Sequence, residues 1–345
     1  MIDRRLPLID LHRHLEGCVR LETMLDLAAV HGLTLPGRTV ESLRPHVVLA
    51  GAQAGLMEFI DRLQWMIHVL ADPAACRRVA YECIQDAAEE GLDYLELRFS
   101  PGFMARPHGL DETAVVEAVI EGARAGERDS GVMTRLIGIM SRTFGPEACH
   151  RELEALLAHR DKIRALDLAG DEARFPGELF RDHFRKGRDA GWLVTVHAGE
   201  AAGAESVRYA IDQLGATRIG HGIHAVDDVG LLDLLREREI GMEICLTSNV
   251  QTNTVTSLAK HPLAYFLDYG LLASINTDDP VISGIDLRHE FYVAAPAAGI
   301  TAAAARVAQA NALKTAFVSP GERAELIQRV ARRASSAETD PFSNR

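Results

Sequence analysis

The stretch LPLIDLHRHLEG, residues 6–17, is the part of the sequence from which the fold can be worked out. A mostly apolar run ends in two histidines, His12 and His14, on either side of Arg13. Residues i and i+2 of a β-strand project to the same side, so both imidazoles are expected to point inward and Arg13 outward. Taken alone, the motif fits a pair of buried core histidines equally well. The rest of the chain must decide between these readings.

Eight short β-type runs recur along the chain. They are LPLIDLH (6–12), LDYLELRF (92–99), TRLIGIM (134–140), IRALDLAG (163–170), WLVTVHAG (192–199), TRIGHG (217–222), GMEICLT (241–247) and LLASINT (271–277). Their continuous apolar character is typical of strands that are covered on both faces. The stretches 72–91, 111–126 and 227–241 lie between such runs, show helical periodicity, and each begins with Asp and ends near Gly.

Alternation of strands and helices predicts parallel strand pairing. Eight units predict an α/β fold of the (β/α)8 TIM-type barrel class, with an open doubly wound sheet as the alternative. No G-x-G-x-x-G follows a strand and no G-x-x-x-x-G-K-[ST] occurs, which favours the barrel.

We expect a single domain over residues 1–333. The segment 18–91 holds several helical patterns, including 55–70, and is interpreted as a helical insertion between the first and second strands that covers one mouth of the barrel. Residues 334–345 are polar and are expected to form a disordered tail.

Composition limits the kinds of binding partner and the cellular compartment that we expect. The 345 residues carry a formal net charge of −12, which argues against nucleic acid or an anionic membrane as a partner. No signal-peptide core and no long uninterrupted apolar run occurs, so we expect a cytoplasmic protein. The five cysteines include no C-x-x-C pair, and we expect reduced, mainly buried thiols.

Polar residues end four of the runs. The first ends in the two histidines described above, and later runs end in His197 with Glu200, in His221, and in Asp278 with Asp279. Catalytic groups of a parallel barrel lie at the carboxyl ends of its strands. Each residue also has an ordinary structural explanation, such as a buried histidine or an Asp-Pro turn. Those explanations would have to apply four separate times at one rim.

Three imidazoles and one carboxylate at a barrel mouth make a site for one divalent transition metal ion. Zn²⁺ fits best, and Fe²⁺, Mn²⁺ or Co²⁺ could use the same ligands. Such an ion lowers the pKa of a bound water, which predicts hydrolysis. The fourth run ends in Asp167-Leu168-Ala169-Gly170 and offers no lysine to bridge two metals, so we expect one ion per chain.

The ordered motifs resemble those of the adenosine deaminases among the metal-dependent amidohydrolase barrels. They are HRHLEG (12–17), HAGE (197–200), GHG (220–222) and SINTDDP (274–280), with ELRFSP (96–101), GIMSRTFG (138–145), ALDLAGDE (165–172) and CLTSN (245–249). The resemblance extends from Leu6 to about residue 330. It implies zinc-dependent hydrolytic deamination of adenosine, and of 2′-deoxyadenosine, to the inosine products and ammonia in purine salvage.

The resemblance also implies a role for each site residue. The implied zinc ligands are His12, His14, His197 and Asp278. Glu200 would donate a proton to purine N1, and His221 would orient or deprotonate the water. The implied substrate contacts come from His14, Glu16, Gly170 and Asp279. Asp279 would bond the water or the N7 side of the purine. Gly170 would offer its N–H to N3, although a loop position with positive φ would equally explain a glycine there.

Glu16 departs from the commoner H-x-H-L-D-G pattern of adenosine deaminases, in which an aspartate contacts the ribose. Related adenine deaminases also carry H-L-E-G, so deamination of adenine or another 6-aminopurine is the alternative activity. A non-catalytic purine-binding barrel would be expected to lack a metal ligand or the acid. The zinc deaminases with P-C-x-x-C have no counterpart here, because that motif is absent. The sequence leaves the oligomeric state open.

Further residues carry weaker expectations. Ser248 and Asn249 are expected to support the rim, and Arg98 with Ser100 to line the mouth, with purely structural roles as the alternative. In the insertion, Met57, Phe59, Leu63, Trp65 and Met66 would either cover the purine or form ordinary core.

Overall fold

The strands form a closed parallel barrel. The computed structural model describes residues 1–49 and 55–338. Within them the strands are β1 (Ile9–His14), β2 (Tyr94–Phe99), β3 (Met133–Ser141), β4 (Ile163–Ala169), β5 (Leu193–Ala198), β6 (Arg218–His221), β7 (Gly241–Ile244) and β8 (Leu272–Ile275). Each strand pairs in parallel with the next one in the chain.

The barrel closes between β1 and the segment after β8. The His14 N–H donates to the Asp278 carbonyl at 2.8 Å, and the Asp278 N–H donates to the His12 carbonyl at 2.8 Å. Closure through these two bonds confirms the predicted (β/α)8 barrel and rules out the open sheet. It also shows that the residues expected to bind a metal lie at the closing seam.

Helices surround the barrel. They are α1 (Leu21–His31), α2 (Val40–Val47), α3 (Leu56–His68), α4 (Pro73–Glu90), α5 (Pro101–Ala105), α6 (Glu112–Ser130), α7 (Pro146–Leu157), α8 (Arg181–Asp189), α9 (Ala204–Tyr209), α10 (Val229–Glu237), α11 (Leu246–Gln251), α12 (Leu263–Asp268), α13 (Pro280–Ser283), α14 (Leu287–His289), α15 (Ala295–Ala297), α16 (Ala302–Thr315) and α17 (Pro320–Glu338). None of these helices within the described ranges is long and apolar enough to cross a membrane.

Helix ends follow the Asp and Gly signals of the sequence only in part. Helix α10 ends at Glu237, before the expected Gly241, which begins β7. Asp111 caps α6 by accepting a hydrogen bond from the Ala114 N–H at 2.9 Å. The helix was expected to end near Gly126 but continues to Ser130. A Cβ on Gly126 would lie 2.8 Å from Cβ of Ile84, so this glycine allows α6 to pack closely on α4. The residue that ends α6 is Gly131, with a φ of 77°.

The segment 18–91 contains two kinds of helix. Helices α1 to α3 precede α4, and α3 contributes side chains to the cavity described below. Helix α4 packs along α6 as an outer helix of the barrel. Only the part before α4 is therefore an insertion over the barrel mouth. The assignment of residues 1–333 to one domain stays a prediction.

The carboxyl-terminal boundary differs from the expected one. Helix α17 continues to Glu338, past the boundary predicted at residue 334, and residues 339–345 of the expected tail lie outside the described residues. All five cysteines are buried and free, as expected of thiols outside a disulfide framework.

Candidate active site

Four side chains converge at the carboxyl ends of β1 and β5 and just after β8. Nε2 of His14 lies 3.2 Å from Nε2 of His12 and 3.2 Å from Nε2 of His197. Oδ1 of Asp278 lies 3.2 Å from the His12 Nε2 and 3.3 Å from the His14 Nε2. The four ligand atoms all lie within 4.8 Å of one another, so they could hold one ion.

The opposite ring nitrogens of two of these histidines are paired with buried carboxylates. Nδ1 of His12 lies 2.7 Å from Oε2 of Glu243, and Nδ1 of His197 lies 3.0 Å from Oδ2 of Asp167. A carboxylate at Nδ1 keeps the ring proton there, which leaves the Nε2 lone pair free to bind a metal. Burial also lowers the pKa of His197, and the neutral ring is the form that binds metals. The donor set therefore fits a divalent transition metal ion.

Arg98 joins the two supporting carboxylates. It donates from Nη1 to Oδ2 of Asp167 at 2.8 Å and from Nη2 to Oε2 of Glu243 at 2.6 Å. Arg218 donates to the other oxygen of Glu243. Burial alone would raise the pKa of Glu243, but Arg218 and Arg98 hold it well below its ordinary value. The expectation that Arg98 lines the mouth is wrong, because its side chain is fully buried beneath the ligands.

The backbone is strained at two residues of the site. Asp278 has a φ of 66° and His221 a φ of 61°, a left-handed conformation that residues other than glycine seldom adopt. The two closing hydrogen bonds between β1 and Asp278 hold this conformation. Strain of this kind is concentrated at functional sites.

A cavity of about 220 Å³ opens beside the four ligands. Its polar wall holds every predicted substrate-side and catalytic residue, namely His14, Glu16, Gly170, Glu200, His221 and Asp279, together with His197 and Asp278. Its apolar wall includes Met57, Phe59 and Leu63 from α3, with Phe103 and Phe144 from the rim. Ser100 lines the cavity as expected, whereas Trp65 and Met66 do not belong to the lining.

Glu200 lies on the turn after β5 and is buried. Burial, followed by the negative charges of Asp278 and Glu172, raises the pKa of its carboxyl well above the ordinary value. The turn is held by Glu172, which accepts hydrogen bonds from the N–H groups of Gly199 at 2.8 Å and Glu200 at 3.1 Å. No role was predicted for Glu172, although it lies within the ALDLAGDE motif. The turn that carries Glu200 is thus fixed in place, and its raised pKa means that the carboxyl takes up a proton more readily than an exposed glutamate does.

Two further carboxyl groups of the cavity are incompletely hydrogen-bonded. Among the described residues, neither Oε2 of Glu16 nor Oδ1 of Asp279 has a hydrogen-bond partner, and both atoms are buried. The other oxygen of Glu16 accepts from the Ser100 N–H at 2.6 Å. Burial raises the pKa of Glu16 to about 7, and burial together with Asp278 raises that of Asp279 well above its ordinary value. These oxygens are available to a ligand in the cavity.

Gly170 needs to be a glycine for structural reasons. Its φ is 109°, and a Cβ at this position would lie 2.4 Å from Oγ1 of Thr143. The positive φ that was offered as the structural explanation is therefore present. Because the residue also lines the cavity, its backbone lies within reach of a ligand.

Ser248 and Asn249 support the rim, as expected. Oγ of Ser248 donates to Oδ2 of Asp278 at 2.6 Å, and Nδ2 of Asn249 lies 3.0 Å from Nδ1 of His221. Both side chains come from α11, directly after β7. Their hydrogen bonds hold Asp278 and His221, two residues that line the cavity, in place.

Comparison with known proteins agrees with this geometry. The family model described as adenosine deaminase matches residues 7–333. The chain belongs to the adenosine deaminase family. The adenosine deaminase of Serratia proteamaculans is 59% identical over 330 residues, which cover 96% of this chain and 99% of the relative.

Two solved structures share the fold. The adenine deaminase of Arthrobacter aurescens has a TM-score of 0.88 and is 27% identical, with 96% of this chain and 99% of that chain covered. An amidohydrolase of Burkholderia ambifaria, solved with bound Zn, has a TM-score of 0.86 and is 26% identical, with 98% of this chain and 94% of that chain covered. Of these two structural relatives of this adenosine deaminase family member, one is described as an adenine deaminase and the other as an amidohydrolase.

Proposed function

We propose that this chain catalyses the hydrolytic deamination of adenosine and 2′-deoxyadenosine, giving inosine or 2′-deoxyinosine and ammonia in purine salvage. One Zn²⁺ per chain would be held by His12, His14, His197 and Asp278. The observation that carries the proposal is a cavity in which this ligand set, the buried carboxyl of Glu200 and the carboxyl oxygens of Glu16 and Asp279 that lack a partner among the described residues face the same space. The proposed compartment is the cytoplasm, as expected from the composition.

The metal has one part in the proposed chemistry. When bound, a divalent ion lowers the pKa of a water molecule to about 7 and so makes a nucleophile available at neutral pH. Water adds to C6 of the purine, and the exocyclic amine leaves as ammonia.

Glu200 would supply the acid. Its raised pKa favours the protonated carboxyl, and donation of that proton to purine N1 makes C6 more electrophilic. Because Glu172 fixes the backbone of this turn through the N–H groups of residues 199–202, the proton is presented from a defined position. His221, whose Nε2 lies 3.7 Å from Oε1 of Glu200, faces the same reacting region.

The remaining polar groups would hold the nucleoside. The raised pKa of Asp279 favours its protonated carboxyl, and in that form Asp279 can donate a hydrogen bond to purine N7. Gly170 would bring its backbone N–H to N3. Glu16 has one oxygen fixed by Ser100 and the other free, so it can accept a hydrogen bond from a ribose hydroxyl.

Adenine deamination is the second candidate. It is favoured by Glu16, which this chain carries where an aspartate is commoner, and by the likeness to an adenine deaminase structure. The higher identity to an adenosine deaminase supports the nucleoside as substrate.

A substrate panel with metal analysis tests the proposal. Purified protein is incubated with adenosine, 2′-deoxyadenosine or adenine, and ammonia release and the change to the hypoxanthine absorption spectrum are followed. We expect the two nucleosides to react much faster than adenine. Preference for adenine would contradict the proposed substrate. Full activity in protein stripped of transition metals would contradict the proposed cofactor.

A further inference from the structure

A buried hydrogen-bond chain runs from the backbone of α12 to His221. The Leu263 N–H donates to Nδ1 of His261 at 3.1 Å, and Nε2 of His261 lies 3.2 Å from Oδ1 of Asn249. Nδ2 of Asn249 in turn lies 3.0 Å from Nδ1 of His221. The three side chains are buried, so solvent does not compete for these bonds.

The direction of the chain is set at its outer end. A backbone N–H can only donate, so Nδ1 of His261 is an acceptor. Burial lowers the pKa of His261 to about 3, so the ring is neutral and its one proton is on Nε2. The Nε2–H group of His261 therefore donates a hydrogen bond to the amide oxygen of Asn249. This orients the amide so that its nitrogen faces His221. Each bond therefore determines the next.

The inner end of the chain determines which nitrogen of His221 carries the proton. An amide N–H donating to Nδ1 makes that nitrogen an acceptor. An imidazole ring keeps a proton on at least one of its two nitrogens, so with Nδ1 accepting, His221 carries its proton on Nε2. This nitrogen lies 3.7 Å from Oε1 of Glu200 and 3.9 Å from Oδ2 of Asp278, at the cavity wall.

We propose that His261 and Asn249 are positioning residues that hold His221 as the Nε2–H tautomer, so that His221 donates a hydrogen bond to the oxygen that adds to the purine. The identity of that oxygen rests on the proposed function, whereas the tautomer does not. A protonated Nε2 cannot accept another proton. Of the two roles that the sequence left open for His221, this assignment selects orienting the water over deprotonating it.

Three substitutions separate positioning from mere support. Asn249→Asp offers only acceptor oxygens to Nδ1 of His221, which draws the proton to Nδ1 and removes the donor from the cavity. Loss of one preorganised donor lowers kcat by about 10²- to 10³-fold, and we expect KM to change less than about threefold. His261→Leu frees the amide of Asn249 to turn, and we expect a kcat loss of roughly tenfold, smaller than for loss of a donor. His261→Gln keeps an N–H donor and should therefore retain most of the kcat that His261→Leu loses.

A matched control removes a hydrogen bond made to the same helix. Ser283, on α13, donates to Oε1 of Gln251 at 2.7 Å, and Gln251 lies on α11 two residues beyond Asn249. Ser283 takes no part in the hydrogen bonds that link His261, Asn249 and His221. Ser283→Ala removes one buried bond from α11 and should leave kcat unchanged. An equal kcat loss in Ser283→Ala and His261→Leu, with no recovery in His261→Gln, would show general loosening of the helix and overturn the proposal.

The tautomer itself is measurable by ¹⁵N NMR on metal-loaded protein with labelled histidine, using His221→Gln to assign the resonances. We expect an unprotonated Nδ1 and a protonated Nε2 for His221, and the reverse in Asn249→Asp. A protonated Nδ1 in the unsubstituted protein would overturn the proposal whatever the substrate is. Failure of the unsubstituted protein to deaminate adenosine would defeat the proposed function but leave this measurement decisive.

Discussion

The two sides of the cavity treat their acidic groups in opposite ways. On the metal-ligand side, Asp167 and Glu243 are fully buried, yet cationic neighbours, Arg98 among them, hold the pKa of each below its ordinary value. On the substrate side, burial without a matching cation raises the pKa of Glu16 to about 7. It does the same to the pKa of Glu152, a residue that lies behind the cavity wall and accepts hydrogen bonds from the Ser100 hydroxyl and the Ser141 N–H. The same desolvation therefore leaves ionised carboxylates where cations are present, and carboxyl groups that take up a proton more readily where they are not.

This difference matches what each side has to do. Ionised carboxylates that are already hydrogen-bonded fix the histidine rings before any ion binds, so the metal-ligand side is preorganised. The substrate side keeps protons and unpartnered oxygens, which cost stability in the empty cavity and can be used only when a ligand arrives. Substitutions on the two sides should therefore fail in different ways.

The largest effect is expected from Glu200→Gln. The amide cannot transfer a proton, so kcat should fall by about 10²- to 10⁴-fold, the usual contribution of general acid catalysis. Metal content, measured by atomic emission, should not change, because Glu200 is not among the converging ligands. Glu205→Gln, an exposed change on α9, is the matched control. Unchanged turnover in Glu200→Gln would refute the acid role.

Arg98→Met tests the metal-ligand side of the cavity through the free energy of unfolding. Removal of the guanidinium leaves two buried carboxylates without their shared partner, and we expect a loss of about 3–5 kcal/mol in the free energy of unfolding. The control is Arg164→Met, which removes a pair with Glu322 where the arginine side chain is 34% exposed and should cost at most about 1 kcal/mol. Denaturant unfolding measures the free energy of unfolding of both variants. Equal losses would show that the buried pairing of Arg98 with the two carboxylates contributes no more than an exposed ion pair.

The sequence allowed the barrel and the converging ligands to be predicted for one physical reason. The carboxyl ends of parallel strands meet at one rim, so residues that end separate runs come together in space. His12, His14, His197 and Asp278 could be placed without knowing any distance. The fold also followed from the count of runs, although closure between β1 and the segment after β8 depends on backbone hydrogen bonds that no sequence pattern displays.

The supporting groups were harder to find. Asp167, Arg98 and Glu243 interrupt strands that are otherwise apolar, and an ionisable residue in a strand covered on both faces was the available signal. Which of them pair depends on positions across the barrel, and spacing along the chain says nothing about that. His261 lies in an ordinary helix start, and only its distance to Asn249 gives it a role.

Glu152→Gln tests the raised carboxyl pKa values near the substrate through the pH dependence of stability. Burial raises the pKa of Glu152 from 4.5 to about 7. Between these values the folded protein holds a proton that the unfolded chain has lost, so stability falls as pH rises, by at most about 1.4 kcal/mol per pH unit, and levels off above about pH 7. Glutamine does not titrate, so the slope in this window should become shallower. Glu154→Gln, an exposed change on the same helix, should leave it unchanged. Parallel curves for all three proteins would contradict the assignment.

The smallest effect is expected from Glu16→Asp, which shortens the side chain by one methylene. One oxygen of Glu16 accepts from the Ser100 N–H and the other is free, and the shorter acid cannot hold both positions. Loss of one hydrogen bond to a ligand costs about 1–1.5 kcal/mol, so KM for adenosine should rise by roughly tenfold. Since this contact is the same in ground and transition states, kcat should stay within about threefold.

Adenine serves as the internal control for Glu16→Asp, because it lacks the ribose. Its KM should barely change if the free oxygen of Glu16 bonds a ribose hydroxyl, and metal content should match the unsubstituted protein. An equal rise in KM for adenine and adenosine would place the contact on the base instead. A loss of bound metal would show that Glu16 supports His14, two residues away, and that the division between the two sides does not hold at this position.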